Sequence, residues 1–252
     1  MLLTAGYRVE RRPTILFDFP GVDLSGEEIR NRILLVLRPA AQDFIGRRLT
    51  TREITAGEVI YEDGMPITHA VFPHEGVISL MARMENGRSV EKASVGLEGF
   101  LGFGLLMGGG AAFSRSVVTV PGYASWLSVA DMDEALAEFV CVREAMLHYA
   151  KALIVQCMES VACNSLHSAE HRVTRWLLHA HDRVAGDRLV VTQQAISEIL
   201  GLRRATVSGA CSKLQKASIM GYSRGVVTIL DRPALEQHAC ECYGRVRKAS
   251  ML

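Results

Sequence analysis

Residues 191–214, VTQQAISEILGLRRATVSGACSKL, constrain this chain more than any other stretch. Ala195, Ile196, Ile199 and Leu200 fall at i, i+1, i+4 and i+5, one apolar stripe of a short helix. Thr192 stands just ahead of it and can accept from a free N–H as the N-cap. Gly201 follows where a left-handed turn costs glycine little. Leu202 then turns inward, and a second stripe begins with Val207, Ala210 and Leu214. The pattern predicts two helices joined by a tight turn, the helix-turn-helix that presents its second helix to the major groove of DNA.

Arg203 and Arg204 open that second helix. Cations there oppose the helix dipole by about 0.3–1 kcal/mol each when exposed. A helix selected for stability alone would carry Asp or Glu. Two arginines suit a helix end that meets phosphate and guanine edges. The plainer alternative is a surface helical hairpin with incidental charge.

Charge is distributed accordingly. The formal net charge is only +1, yet residues 164–252 hold 13 Lys and Arg against 7 Asp and Glu, while residues 1–163 hold 15 against 20. A basic C-terminal part behind an acidic N-terminal part predicts that only the former meets a polyanion. The length of 252 residues allows about two domains. No continuous apolar stretch opens the chain, and the longest uncharged run, residues 99–114, is short and glycine-rich. All six cysteines lie at or beyond Cys141, unlike a secreted disulfide framework. These features predict a cytoplasmic protein with reduced thiols and no membrane contact.

Residues 1–28 read as an N-terminal arm, broken by Pro13, Pro20, Gly21 and Gly26. Residues 28–37 and 39–46 read as short helices. From 48 to about 130 come short strands at Leu49, Ile54, 59–61, 70–72, 77–81, 90–93, 117–120 and 125–127, with Asn86-Gly87 the strongest hairpin signal. Strands at this spacing predict a small antiparallel barrel or jelly roll. Residues 131–139 read as a helix, and 142–162 as a longer one that is apolar nearly all round. Its Ala145, Met146, Tyr149, Leu153, Gln156, Cys157 and Ser160 approach heptad spacing, which predicts a coiled-coil-like dimer seam. The alternative is a core helix lying on its own barrel. Residues 168–184 form another amphipathic helix. Residues 219–222 and 226–230 flank Ser223-Arg224-Gly225 as a wing hairpin whose Arg224 can reach phosphate, and 233–247 read as a last helix.

This order of barrel, seam helix and winged helix-turn-helix resembles the Crp/Fnr family of transcription regulators. The resemblance covers residues 30–230 and rests on Gly57, Glu62-Asp63-Gly64 and Pro66, on residues 96–106 with Arg115-Ser116, and on residues 192–214. It implies an α+β chain: arm 1–28, cyclic-nucleotide-binding-like effector domain 29–139, dimerisation helix 140–163 and DNA-binding domain 164–252. It implies a homodimer on double-stranded DNA at a two-fold operator, with RNA polymerase as a further partner, and no enzyme activity. By the family's pattern Thr192, Gln194, Arg203 and Thr206 touch phosphate, and Arg204 falls on a base-reading position. Ala205 and Gly209 occupy further reading positions, Ser208 matches one used by some members, and Lys213 and Arg224 complete the expected surface.

In the barrel, Arg115-Ser116 sit where the family binds the cyclic nucleotide's phosphate. The ribose-holding carboxylate is replaced by Phe103, or by Leu105 under a different gap, and the base-contacting pair by Cys157-Met158. An unpaired buried sugar hydroxyl costs about 1–3 kcal/mol, which argues for a small-molecule or redox signal other than cyclic AMP. Arg115 can instead be a surface charge or a local ion pair. No cysteine precedes Cys141, which removes the N-terminal cluster of the family's oxygen sensors. His74 reads as a loop histidine rather than a haem ligand. His238, Cys240 and Cys242 crowd soft ligands together, but thiols two apart on a helix point to different sides, so no metal is expected there. The competing readings are a cyclic-nucleotide-responsive regulator and, from another class, a cupin-like metal-dependent enzyme fused to a helix-turn-helix. For that the barrel offers only His69 and His74, without a His-x-His pair.

Overall fold

The computed structural model describes residues 28–108 and 110–251. All but the last residue of the expected arm lies outside them. Helices α1 (Arg32–Val36) and α2 (Pro39–Gly46) open the described chain. The first is shorter than expected because Asn31 caps it, its side chain accepting from the Ile33 and Leu34 N–H groups.

Strands β1 (Thr50–Ile54), β2 (Val59–Tyr61), β3 (His69–Arg83), β4 (Ser89–Val95) and β5 (Arg115–Ser128) form one antiparallel sheet in the order β1-β5-β3-β4, with β2 also on β5. The path is open rather than closed into a barrel, so jelly-roll-like describes it better. Four of the expected strands are two long bent ones. Gly76 and Pro121-Gly122 lie at register shifts inside the antiparallel pair of β3 and β5. A Cβ on Gly122 would lie 2.2 Å from the Glu75 carbonyl oxygen, so only glycine lets the backbones pass so closely. The Asn86-Gly87 turn does join β3 to β4.

Helix α3 (Val129–Glu138) leads into α4 (Val140–Leu166), which lies along the sheet. Ala145, Met146, Tyr149 and Leu153 are buried in one core with Phe72 of β3 and with Phe100, which follows β4. Gln156 Oε1 accepts from the Ser94 N–H of β4 at 2.8 Å. The residues expected at a seam therefore face the helix's own sheet, as the alternative had it. A different stripe faces outward. Val140, Leu147, Ile154 and Val161, each seven apart, are with Met158 between 54% and 70% exposed.

Beyond it α5 (Ala169–His181), capped by Ser168, packs under a second apolar core with Trp176, Leu177 and Leu178. Strand β6 (Arg188–Val190) joins β7 (Met220–Ser223) and β8 (Val226–Ile229) in a three-stranded sheet ordered β6-β8-β7. Between them lie α6 (Gln193–Leu200) and α7 (Arg204–Lys216). The expected last helix is two, α8 (Arg232–Gln237) and α9 (Glu241–Ala249), parted by a kink at Cys240.

The two halves are clamped by a buried ion pair. The Arg183 Nη2 and Nε donate to the Glu98 carboxylate at 2.6 and 3.2 Å, and its Nη1 donates to Ser94 Oγ at 2.7 Å. No helix of the described residues is long and apolar enough to cross a membrane.

Candidate nucleic-acid interface

The helix-turn-helix forms as its local chemistry dictates. Thr192 Oγ1 accepts from the Ala195 N–H at 3.1 Å, capping α6. Gly201 ends α6 at φ +62°, and the Leu202 N–H donates back to the Ser197 carbonyl. Ile196, Ile199 and Leu200 of α6 and Val207, Ala210, Cys211 and Leu214 of α7 fill the core between the two helices and α5.

What remains outside is the candidate surface. Arg203 is the N-cap of α7 and Arg204 its first residue, with no acidic residue in the first turn and no side-chain cap. Arg203, Arg204, Ala205, Thr206 and Gly209 are exposed, and Ser208 is half-buried. Nothing lies within 4 Å of where a Gly209 Cβ would stand, so this face of α7 is flat. Thr192, Gln194, Arg203 and Arg204 border a wide cleft of about 1050 Å³ whose far wall includes Arg83, Arg88 and Arg115. Two expected contacts already have partners. Gln194 Nε2 donates to Glu198 Oε1 at 2.7 Å, and Lys213 Nζ lies 2.6 Å from Glu170 Oε2.

The wing is a two-residue hairpin with Arg224 at φ +49° and Gly225 at φ +80°. Two successive left-handed residues match the right-handed twist of a hairpin, but Asn or Gly takes the first place at lower cost. An arginine held there carries backbone strain that glycine would avoid.

The expected effector residues do not converge. Ser116 and Phe103 line an apolar cavity with Leu80, Phe100, Phe113 and Leu153, of about 20 Å³. Arg115 turns outward and pairs with Glu62 at 3.1 Å, the local ion pair anticipated as the alternative. Cys157 packs on the core without lining the cavity. Sites for small molecules occupy about 300–1,000 Å³, so this cavity holds no nucleotide in the conformation described.

His74 is neither in a loop nor free to bind a haem. It is fully buried in β3, its Nδ1 accepting from the Arg30 and Asn31 N–H groups and its Nε2 2.6 Å from Ser125 Oγ. His69 is engaged elsewhere, with Thr68 Oγ1, so the two do not form a cupin-like metal set. Sequence reasoning missed Cys163 and His167, which lie beside Cys240 and Cys242, whereas His238 is exposed and bonded to the Ala234 carbonyl. The signal lay in the Cys-x3-His spacing at the end of α4.

An open antiparallel sheet, a long helix with an outward heptad stripe and a winged helix-turn-helix with an arginine-tipped second helix together make up the architecture. Residues 171–238 match the Crp-like helix-turn-helix domain. Solved structures agree along most of the chain. FixK2 from Bradyrhizobium japonicum aligns with TM-score 0.65 at 18% identity over 76% of this chain and 98% of that one. A putative Crp/Fnr regulator from Eubacterium rectale aligns with TM-score 0.61 at 18% identity, covering 84% and 99%. The c-di-GMP responsive global regulator CLP of Xanthomonas campestris gives 0.59 at 13%, covering 76% and 99%. A search of curated proteins by sequence finds no match. The C-terminal unit is thus a Crp-like helix-turn-helix domain, and the chain has the fold of Crp/Fnr transcription regulators.

Proposed function

We propose that this protein is a homodimeric, sequence-specific DNA-binding transcription regulator rather than an enzyme. It answers a signal other than cyclic AMP. The observation that carries the reading is the uncapped, acid-free start of α7, where Arg203 and Arg204 stand exposed. Arg204 reads guanine O6 and N7, and Arg203, Thr192, Gln194 and Thr206 hold phosphates. Ser208 and the flat Gly209 face admit close approach of the groove, Arg224 reaches the neighbouring backbone, and Lys213 exchanges Glu170 for phosphate. The work divides among the segments 29–139, 140–163 and 164–252, with α4 running three residues further.

The dimer reading rests on Val140, Leu147, Ile154 and Val161. An outward apolar stripe at seven-residue spacing on a helix of 27 residues suits a two-helix seam. Pairing α4 with its copy sets two α7 helices at successive major grooves, about 34 Å apart. RNA polymerase is the further partner this class of regulator implies. The small apolar cavity and the outward Arg115–Glu62 pair support a signal unlike a cyclic nucleotide.

Selection of bound sites from a random DNA pool tests the reading. The expected result is a two-fold consensus with binding that weakens steeply as salt rises. Binding without sequence preference, or by a strict monomer, overturns it.

A further inference from the structure

Two ends of the DNA-binding half converge at the joint between α4 and α5. Cys163 lies on the last turn of α4, and His167, four residues on, caps it from the same face. Cys240 precedes α9 in extended conformation, φ −77° and ψ 162°, and Cys242 lies in that helix's first turn. Cys240 stands outside the helix in extended backbone, so the two thiols are not held at helical spacing and come together on one side. This is why the helical argument against a shared site fails. Cys163, Cys240 and Cys242 are buried, and the four donor atoms all lie within 4.8 Å of one another.

We propose that Cys163, His167, Cys240 and Cys242 form a tetrahedral Cys3His site for a thiophilic divalent cation of the zinc class. Zinc holds thiolate sulfur at about 2.3 Å and imidazole nitrogen at about 2.0–2.1 Å, so the edges of its tetrahedron measure about 3.5–3.8 Å. Cys163 Sγ lies 3.7 Å from Cys240 Sγ, and Cys242 Sγ lies 3.7 Å from His167 Nδ1. Two opposite edges already have the required length. The other four close by about 1 Å at most on metal binding.

The surroundings fit a metal better than chance packing of cysteines. His167 turns Nδ1 to the thiols and Nε2 to Glu241 Oε2 at 3.4 Å. A carboxylate behind the second ring nitrogen fixes the tautomer that a metal-bound histidine needs. Three thiolates and a dication carry a net negative charge, which burial makes costly unless it is balanced. Arg175, 7% exposed and with its Nε unpartnered, places a buried positive charge near Cys163, and Arg172 lies close on the same helix. Core cysteines acting only as small apolar groups need neither feature. The cation ties the end of α4 to the start of α9 across the joint where the DNA-binding half begins.

The test uses the full-length, reduced protein stripped with a chelator and titrated with Co²⁺. The expected result is a sulfur-to-cobalt charge-transfer band saturating at one equivalent per chain. Zn²⁺ bleaches it at one equivalent, because zinc binds such sites more tightly than cobalt. Alkylation mapped by mass spectrometry should show Cys163, Cys240 and Cys242 protected by Zn²⁺, with Cys141 and Cys157 unchanged. The band should vanish in Cys242→Ser and His167→Ala and persist in Cys157→Ser. Absence of the band in folded wild-type protein overturns the proposal. So does protection that appears only on oxidation, which would mark a Cys163–Cys240 disulfide. The wild-type titration and alkylation decide the matter even if a variant fails to fold.

Discussion

His74 makes the sheet's stability depend on pH in a calculable way. Its Nδ1 accepts two backbone N–H groups, from Arg30 and Asn31, each at 3.2 Å. The ring proton therefore sits on Nε2, which donates to Ser125 Oγ. A second proton would displace both donors and bury a charge, so burial, with the nearby Arg30 charge, lowers the pKa from 6.5 to about 4. The sign follows from linkage. Below pH 6.5 the unfolded chain binds a proton that the folded chain refuses until about pH 4. The stabilisation is complete above 6.5 and is lost as pH falls across that window. Its full size is about 3 kcal/mol. His74→Gln keeps an acceptor and a donor without titrating. Urea unfolding followed through Trp126, in a Trp176→Phe background that silences the other half, gives the comparison. His179, also buried with a lowered pKa, titrates alike in both proteins and cancels. The stability gap between wild type and variant should close by about 3 kcal/mol from pH 7 to pH 4. Parallel pH curves would refute both the tautomer and the burial argument.

Arg204→Ala should cost about 1–3 kcal/mol on the selected site and much less on random DNA, measured by titration at fixed salt. Equal losses on both would move Arg204 to the phosphate class. Arg183→Met leaves the Glu98 carboxylate buried without its partner and should destabilise the protein by about 3–5 kcal/mol in urea unfolding. A cost below about 1 kcal/mol would mean that the clamp is already loose. Leu147→Glu with Ile154→Glu should yield monomer in sedimentation and abolish high-affinity DNA binding, while leaving the sheet folded. Arg224→Gly relieves the φ of +49° and should stabilise the wing by up to about 1 kcal/mol while weakening DNA binding.

The helix-turn-helix half was legible in the sequence because its signals are local. Thr192, Gly201 and the wing turn each act on backbone within a few residues. The sheet was legible in kind but not in connectivity. Gly76 and Pro121-Gly122 carry residues that suit turns, and only the long-range pairing of β3 with β5 makes them irregularities within strands. The candidate base-reading surface could be located by spacing, whereas the outward turn of Arg115 to Glu62 could not. Nor could the Cys3His cluster, whose halves are separated by 77 residues between Cys163 and Cys240.

Helix α4 shows why apolar periodicity alone cannot choose a partner. A helix with one greasy stripe has one direction to bury, but α4 has two. Met146, Tyr149 and Leu153 fill the gap beneath β4, while Leu147 and Ile154 look the opposite way. Two opposed stripes cancel in any amphipathicity measure, so the sequence reads as apolar all round. The same helix thus supports its own sheet, turns an apolar stripe outward and carries Cys163 and His167 at its far end. Tyr149 and Gln156, which meet the sheet side, and the outward stripe therefore share one continuous helix of 27 residues, so neither face can be read from periodicity without the other.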